Sequence, residues 1–153
     1  MRWLVVSDSH GDTTSLRQAV ERENTLAAPD GLLFLGDGLH DLDSIKPLIP
    51  VIHAVRGNCD LFGAQDEETV SLGGVRVLLC HGHSRYVKIG LDRLLYRAQE
   101  ADVQVALYGH THRPHCEWVH GVLLFNPGAM NMGRYAVLSI EANGMIDGQL
   151  KTL

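Results

Sequence analysis

The chain contains 153 residues, of which 45% are hydrophobic and 20% are charged, and its formal net charge is -5. This length is typical of one globular domain, so we expect a single domain over residues 1–153. The negative charge disfavours binding to nucleic acids and anionic lipids, and no apolar stretch is long enough to span a membrane. The N-terminal residues also lack the apolar region and cleavage site of a signal peptide. We therefore expect a cytoplasmic protein without a membrane partner.

The first half of the chain alternates strand and helix patterns. The apolar run 3–6 predicts a strand, and helix-capping side chains ahead of residues 14–25 predict an amphipathic helix. The run 32–35 predicts a second strand, a shorter helix is expected over 42–48, and 51–55 predicts a third strand. Strands separated by helices in this way favour a parallel sheet.

The second half of the chain is dominated by hairpin patterns. Paired runs around turn residues predict three hairpins, 69–72 with 75–79, 117–119 with 122–125, and 135–141 with 145–151. Between the first two hairpins, a helix after Gly90 precedes a strand over 103–108. We predict an α/β fold of two packed mixed β-sheets flanked by helices, an α/β/β/α sandwich. The apolar second hairpin suits either the core or a contact between subunits, so a homo-oligomer stays open.

Five apolar runs are each followed by side chains of the kind that bind metals. These side chains are Asp8, His10, Asp37, Asn58, His81, His110 and His112. A single aspartate after a strand more often caps a turn, and a single histidine is more often structural. The carboxyl ends of parallel strands gather at one edge of a sheet, however, so the repeated pattern predicts one shared site.

The same residues fall into five short motifs that identify a family. They are Asp8-Ser9-His10-Gly11, Gly36-Asp37-Gly38, Gly57-Asn58-Cys59-Asp60, His81-Gly82-His83 and Gly109-His110-Thr111-His112. In this order they resemble the calcineurin-like metallophosphoesterases, and most closely their small single-domain bacterial and archaeal phosphodiesterase branch. The resemblance runs from about position 5 to 130 and includes Asn126-Pro127-Gly128-Ala129, which is similar to an Asn-Pro-Gly-Ser element of that branch.

The resemblance implies a site for two divalent metal ions. By that resemblance, Asp8, His10 and His112 hold one ion, Asn58, His81 and His110 hold the other, and Asp37 bridges both. Nitrogen and oxygen donors without thiolate favour Mn, Fe, Zn, Ni or Co over Mg, and manganese is our first expectation. Two divalent ions facing two carboxylates leave a charge of about +2, so this acidic protein can bind an anion there.

The implied activity is that of a dinuclear phosphodiesterase acting on a small phosphodiester, in which a metal-bridging hydroxide attacks phosphorus. Asn58, Cys59 and His81 are the expected catalytic residues. Many family members carry histidine where this chain has Cys59, and a thiol is the poorer proton donor. Cys59 therefore either assists the leaving group weakly or only fills space.

Two other functions remain open at this stage. A phosphomonoesterase or nucleotidase would use the same metals, and a non-catalytic scaffold is known on this fold. Nucleic acid is not an expected partner, because the sequence has no basic run and no series of stacking aromatics.

Several nearby side chains are candidates for substrate binding or for support of the site. Arg56 and His83 are candidates for substrate binding, Arg56 by supplying charge and His83 by reaching the phosphate, although a solvated strand-end arginine and an exposed loop histidine are the more usual cases. Asp60 either orients a histidine ligand or caps a turn. Arg85, Tyr86 and Lys88 could help to select the substrate.

Overall fold

Ten strands form two mixed five-stranded sheets in the computed structural model, which describes residues 1–153. The strands are β1 (Arg2–Val6), β2 (Gly31–Phe34), β3 (Ile52–Ala54), β4 (Glu67–Leu72), β5 (Val75–Cys80), β6 (Val105–Leu107), β7 (His115–Val119), β8 (Val122–Asn126), β9 (Arg134–Ile140) and β10 (Ile146–Thr152). The helices are α1 (Thr13–Ala27) and α2 (Asp92–Glu100). The α/β sandwich expected from the sequence is confirmed.

The first sheet has the strand order β10-β9-β1-β2-β3. Its central strand β1 runs parallel to β2 and antiparallel to β9, and β2 runs parallel to β3. The parallel sheet expected at this end of the chain is therefore confirmed, and β9 and β10 extend it as an antiparallel hairpin.

The second sheet has the strand order β4-β5-β6-β8-β7. Its three central strands β5, β6 and β8 are parallel, and the edge strands β4 and β7 pair antiparallel with their neighbours. All three predicted hairpins are present. The second lies in the second sheet, where β8 pairs with β6, and the third lies in the first sheet, where β9 pairs with β1.

Helix α1 begins where the sequence predicts it, because Asp12 caps it. The Asp12 carboxylate accepts a hydrogen bond of 2.9 Å from the Ser15 N–H, which satisfies one free donor of the first turn. Leu16, Ala19 and Val20 are buried against the first sheet, and α2 covers the second sheet in the same way.

The helix expected over 42–48 is not an α-helix. The chain instead makes two short 3₁₀ segments, Leu39–Ser44 and Lys46–Leu48. Pro47 has no N–H to donate and disfavours the α conformation in the residue before it, so an α-helix cannot continue through this position.

The main core lies between the sheets. Seventeen buried residues, contributed by both sheets, form one cluster, and two further clusters lie under the helices. The second hairpin divides between core and surface, because Val122 to Phe125 are buried while Trp118 is 53% exposed. No helix is long and apolar enough to cross a membrane.

Candidate metal centre

The carboxyl ends of strands from both sheets converge on one group of metal-binding side chains. The first sheet contributes the residues that follow β1 and β2, and the second sheet contributes those that follow β5 and β6. Donor atoms of Asp8, His10 and His112 lie within 4.8 Å of one another, as do those of Asp37, His81 and His110. Six of the seven side chains named from the sequence are thus brought together.

The Asp37 carboxylate lies between the two groups. Its Oδ2 is 3.2 Å from His81 Nε2 in one group and 3.7 Å from His10 Nε2 in the other. Burial opposes ionisation of Asp37, but hydrogen bonds with His81 and the Cys59 N–H hold its pKa well below its usual range. An ionised carboxylate in this position can donate its oxygens to a cation, and its bridging role stays a prediction.

One buried oxygen of Asp8 has no hydrogen-bond donor. Asp8 Oδ2 accepts hydrogen bonds from Ser7 Oγ at 2.5 Å and from the His110 N–H at 3.1 Å. The other oxygen, Oδ1, accepts none, although His112 Nε2 is 3.0 Å away and His10 Nε2 is 3.5 Å away. A buried unpaired acceptor costs roughly 1 to 3 kcal/mol. A cation coordinated by Oδ1 and the two imidazoles would remove that cost, so the donors fit a metal ion.

His81 is held in an orientation that suits a metal ligand. Its Nδ1 lies 2.7 Å from the Leu35 carbonyl oxygen, which can accept a hydrogen bond but has no hydrogen to donate. Nδ1 therefore carries a proton, and Nε2 faces Asp37 Oδ2 at 3.2 Å and His110 Nδ1 at 3.2 Å. Acceptors so close to one another need a proton or a metal ion between them.

The close packing of these groups shifts the pKa values of His81 and His110. Burial works against the charged form of His81, yet its hydrogen bond with Asp37 and the nearby aspartates raise its pKa. Burial and the charges of His81 and Lys88 lower the pKa of His110 to about 4. His110 is therefore neutral at pH 7, which is the form that binds metals.

Five of the candidate ligands have a left-handed backbone. Their φ values are positive, between 45° and 66°, and the residues are Asp8, His10, Asp37, His110 and His112. For residues with a β-carbon this conformation costs on the order of 1 kcal/mol each, and such strain concentrates at functional sites. The concentration of strain on these residues is a second, independent sign of a binding site.

Two glycines let the backbone approach the carboxylates. A β-carbon added at Gly57 would lie 2.1 Å from Asp37 Oδ1, and one added at Gly109 would lie 2.7 Å from Asp8 Oδ2. Only glycine fits at these distances, which explains why glycine precedes Asn58 and His110 in their motifs.

Asp60 supports the site through the backbone. Its carboxylate accepts hydrogen bonds of 2.7 to 3.0 Å from the N–H groups of Asp37, Gly38, Leu39 and Gly57. No histidine ligand is among its partners. Of the two roles considered from the sequence, the structure shows the turn cap, and the cap fixes the loop that carries Asp37.

Cys59 lies beside Asp37. Its N–H donates a hydrogen bond of 2.8 Å to Asp37 Oδ1, and its Sγ lies within 4.8 Å of donor atoms of His10 and Asp37. Burial and the charges of Asp37, Asp60 and Asp8 raise the pKa of the thiol. Its role in leaving-group chemistry stays a prediction.

The remaining predicted residues are less closely tied to the centre. Asn58 is exposed, and its amide nitrogen contacts Cys59 Sγ at 3.5 Å, so its role as a ligand stays a prediction. Arg56 pairs with Asp66 at 2.7 Å. His83 is half-buried, its ring centroid is 6.1 Å from that of His110, and its buried Nδ1 has no partner. The substrate contacts expected of Arg56 and His83 also stay predictions.

Sequence reasoning did not identify the polar residues that support the ligand loops. Ser9 Oγ donates to Asp41 Oδ2 at 2.5 Å, and the same oxygen accepts the Gly11 N–H at 2.9 Å. Asn126 Nδ2 donates to the Gly109 carbonyl and to Thr111 Oγ1. Asn126 could have been found, because it begins the Asn-Pro-Gly-Ala segment, whereas nothing in the sequence marks Asp41.

Comparison of the sequence with known families gives one match over most of the chain. The profile of the calcineurin-like phosphoesterase superfamily domain matches residues 1–143. The probable metallophosphoesterase YsnB of Bacillus subtilis is 33% identical over 148 residues, covering 92% of this chain and 85% of the relative.

Two solved structures illustrate the same fold. Wild-type Vps29 of Entamoeba histolytica, solved with Zn²⁺, superposes with a TM-score of 0.77 at 21% identity and covers 99% of each chain. A structure described as a novel archaeal phosphodiesterase superposes with a TM-score of 0.79 at 21% identity, covering 99% of this chain and 100% of that one. At these identities the likeness concerns the fold alone.

Proposed function

Because the chain belongs to the calcineurin-like phosphoesterase superfamily, we propose that it is a phosphodiesterase that uses two divalent metal ions to hydrolyse a small phosphodiester. The observation that carries this proposal is the convergence of six ligand-type side chains from two sheets around the unpaired Asp8 oxygen. One solved structure of the same fold is described as an archaeal phosphodiesterase, and this supports the choice of a diester as the proposed substrate.

The donors divide between two ions in the way that the family resemblance implies. Asp8, His10 and His112 would hold one ion, Asn58, His81 and His110 would hold the other, and Asp37 would contact both. Such ions would lower the pKa of a bound water and stabilise negative charge on phosphoryl oxygens. Manganese is our first choice of ion because the donors are nitrogen and oxygen.

The residues of the chain prepare the ligand atoms before any ion binds. The Leu35 carbonyl accepts a hydrogen bond from His81 Nδ1, which turns Nε2 towards Asp37 and the other ligand atoms. Ser7 and the His110 N–H occupy one oxygen of Asp8 and leave the other free. The Cys59 N–H fixes the plane of the Asp37 carboxylate. Because hydrogen bonds already hold these groups, metal binding requires little reorganisation.

The experiment compares a diester with a monoester that has the same leaving group. We expect the manganese-loaded protein to hydrolyse bis(p-nitrophenyl) phosphate with a kcat/KM about tenfold above that for p-nitrophenyl phosphate, and Asp37→Ala and His81→Ala to lose about 100-fold. Asp37→Asn is the matched variant, because asparagine tolerates the left-handed backbone but carries no charge.

The control and the contrary outcomes separate the candidate functions. His120→Asn removes an exposed histidine from a turn outside the site and should keep full activity. A preference for the monoester would favour the phosphomonoesterase. A chain that binds no metal and turns over neither ester would favour the scaffold, and activity that survives Asp37→Ala would contradict the bridging role.

A further inference from the structure

A cavity of about 570 Å³ opens beside the metal centre. Its wall contains the apolar side chains Val87, Leu91 and Pro114 and the cationic side chains Lys88 and Arg113. Tyr108, Thr111 and His115 complete the lining. No candidate metal ligand and no carboxylate lines it. Its volume is in the range of small-molecule sites, and it lies outside the group of metal ligands.

Two cations of this wall have no partner in the protein. Neither Lys88 nor Arg113 makes an ion pair, and neither side chain makes a hydrogen bond, whereas most other cationic side chains of the chain contact a carboxylate or a carbonyl oxygen. The carboxylate of Glu117 is outside the lining but contacts the lining residue His115 at 3.0 Å. In a chain of net charge -5, two unpaired cations on this wall still form a local positive region. Such a region attracts anions.

The cavity adjoins the loop that carries two of the candidate ligands. Thr111, which lines it, stands between the candidate ligands His110 and His112, and Arg113 follows directly. The Thr111 hydroxyl accepts hydrogen bonds from the Arg113 N–H and from Asn126, so this wall is fixed relative to the ligand loop. The second substituent of a substrate bound beside this loop would therefore be close to the cavity.

We propose that Lys88 and Arg113 select substrates whose second substituent carries an anionic group, a phosphate or a carboxylate, on a short organic linker. The linker would pack against Val87, Leu91 and Pro114, and its terminal anion would pair with the two cations. This inference rests on the proposed phosphodiesterase function and adds the chemical class of the substrate. Hydrogen bonds between charged partners are worth enough to change affinity about tenfold each.

The test uses phosphodiesters that share p-nitrophenol as the leaving group and differ only in the second substituent on phosphorus, here called the arm. The arms are propyl, 3-carboxypropyl and 3-phosphonopropyl, and the protein is loaded with manganese. We expect both charged arms to give a KM about tenfold below that of propyl, with the lower of the two identifying the preferred anion. Lys88→Gln and Arg113→Gln should each reduce about tenfold the ratio of KM for the propyl arm to KM for a charged arm.

Lys46→Gln is the matched control, because Lys46 is exposed and lies outside the cavity. Calorimetric binding of propane-1,3-bisphosphonate and propylphosphonate extends the test to a protein that turns over no ester. Failure to hydrolyse any ester would contradict the proposed function alone. The cavity's role would be overturned by equal KM values for all arms in the wild type, or by equal bisphosphonate affinity in the wild type and both glutamine variants.

Discussion

At the scale of single residues, the candidate ligands combine strain with unmet hydrogen bonding. His10 has a φ of 45° and an exposed position, its ring lies near Asp8, Asp37 and His112, and Cys59 Sγ is within 4.8 Å of a ring nitrogen. Its N–H donates a hydrogen bond of 3.0 Å to the Asp37 carbonyl oxygen, which holds the left-handed backbone in place. We expect this strain to serve ligand binding rather than stability, which is the usual relation between strain and function.

Replacing His10 with glycine tests this directly. Because glycine adopts positive φ without a steric cost, His10→Gly should raise the free energy of unfolding of the metal-free protein by about 1 kcal/mol. The same variant should lose most of the stabilisation that manganese gives the wild type. Urea unfolding with and without manganese measures both effects. A metal-free variant less stable than the wild type by more than about 1 kcal/mol would indicate a structural role for the imidazole.

Cys59 gives a second prediction at this scale. If the thiol assists the leaving group, a better proton donor at this position should help poor leaving groups most. We expect Cys59→His to reduce the dependence of kcat on leaving-group pKa in a series of aryl diesters, and Cys59→Ser to increase it. The slope of log kcat against leaving-group pKa is the readout. Identical slopes in all three proteins would leave Cys59 as a space-filling residue.

The sequence predicted which side chains could bind metal, but not the backbone conformation or the distant contacts that position them. Asp8 and His81 could be named because a metal-binding residue after an apolar run is visible in the sequence. The left-handed backbone of His110 and His112 could not be, since these residue types adopt it only when surrounding contacts require it. Arg113 and Lys88 line one cavity although they are far apart in sequence, and only the fold brings them together.

At the scale of elements, a buried carboxylate connects the first helix to the first sheet. Glu23 on α1 is fully buried, and it pairs with Arg2 on β1 and with Lys151 on β10 at 3.3 Å. The Tyr135 hydroxyl on β9 donates a hydrogen bond of 2.7 Å to the same side chain. Burial opposes its ionisation, but these hydrogen bonds and the charge of Lys151 hold the pKa of Glu23 below its usual value.

This network predicts a pH dependence of stability. A carboxylate whose pKa is lower in the folded state stabilises the fold above its unfolded pKa of about 4.5, and that stabilisation is lost as the pH falls through the folded pKa. We expect Glu23→Gln to lower the free energy of unfolding by about 2 kcal/mol at pH 7 and by less at pH 3. Glu21→Gln, on the exposed face of the same helix, is the control. An equal loss at both pH values would contradict the role of the charge.

Elements with local signals were predicted well, and elements set by distant contacts were not. Asp12 caps α1 and Gly73-Gly74 closes the β4–β5 hairpin, so neighbouring residues alone indicate both. The parallel position of β6 between β5 and β8 depends on pairings across the chain, which no local pattern contains. The α-helix expected over 42–48 was wrong for a local reason, because its apolar residues favour a helix that Pro47 interrupts.

At the scale of the whole molecule, the metal centre depends on the packing of one sheet against the other. Asp8 and Asp37 follow strands of the first sheet, whereas His81 and His110 follow strands of the second. The cluster of 17 buried residues between the sheets holds these strand ends together. Neither sheet alone has a complete set of ligands, so metal binding reports on the packed sandwich rather than on a local loop.

Metal stoichiometry is the most direct measurement of the central claim. The protein is loaded with manganese, passed through a desalting column and analysed by inductively coupled plasma mass spectrometry. We predict about two ions per chain for the wild type and about one or fewer for Asp37→Asn, because in the proposed site the Asp37 carboxylate would contact both ions. A wild-type chain that retains no metal, or an Asp37→Asn variant that retains two ions, would contradict the account.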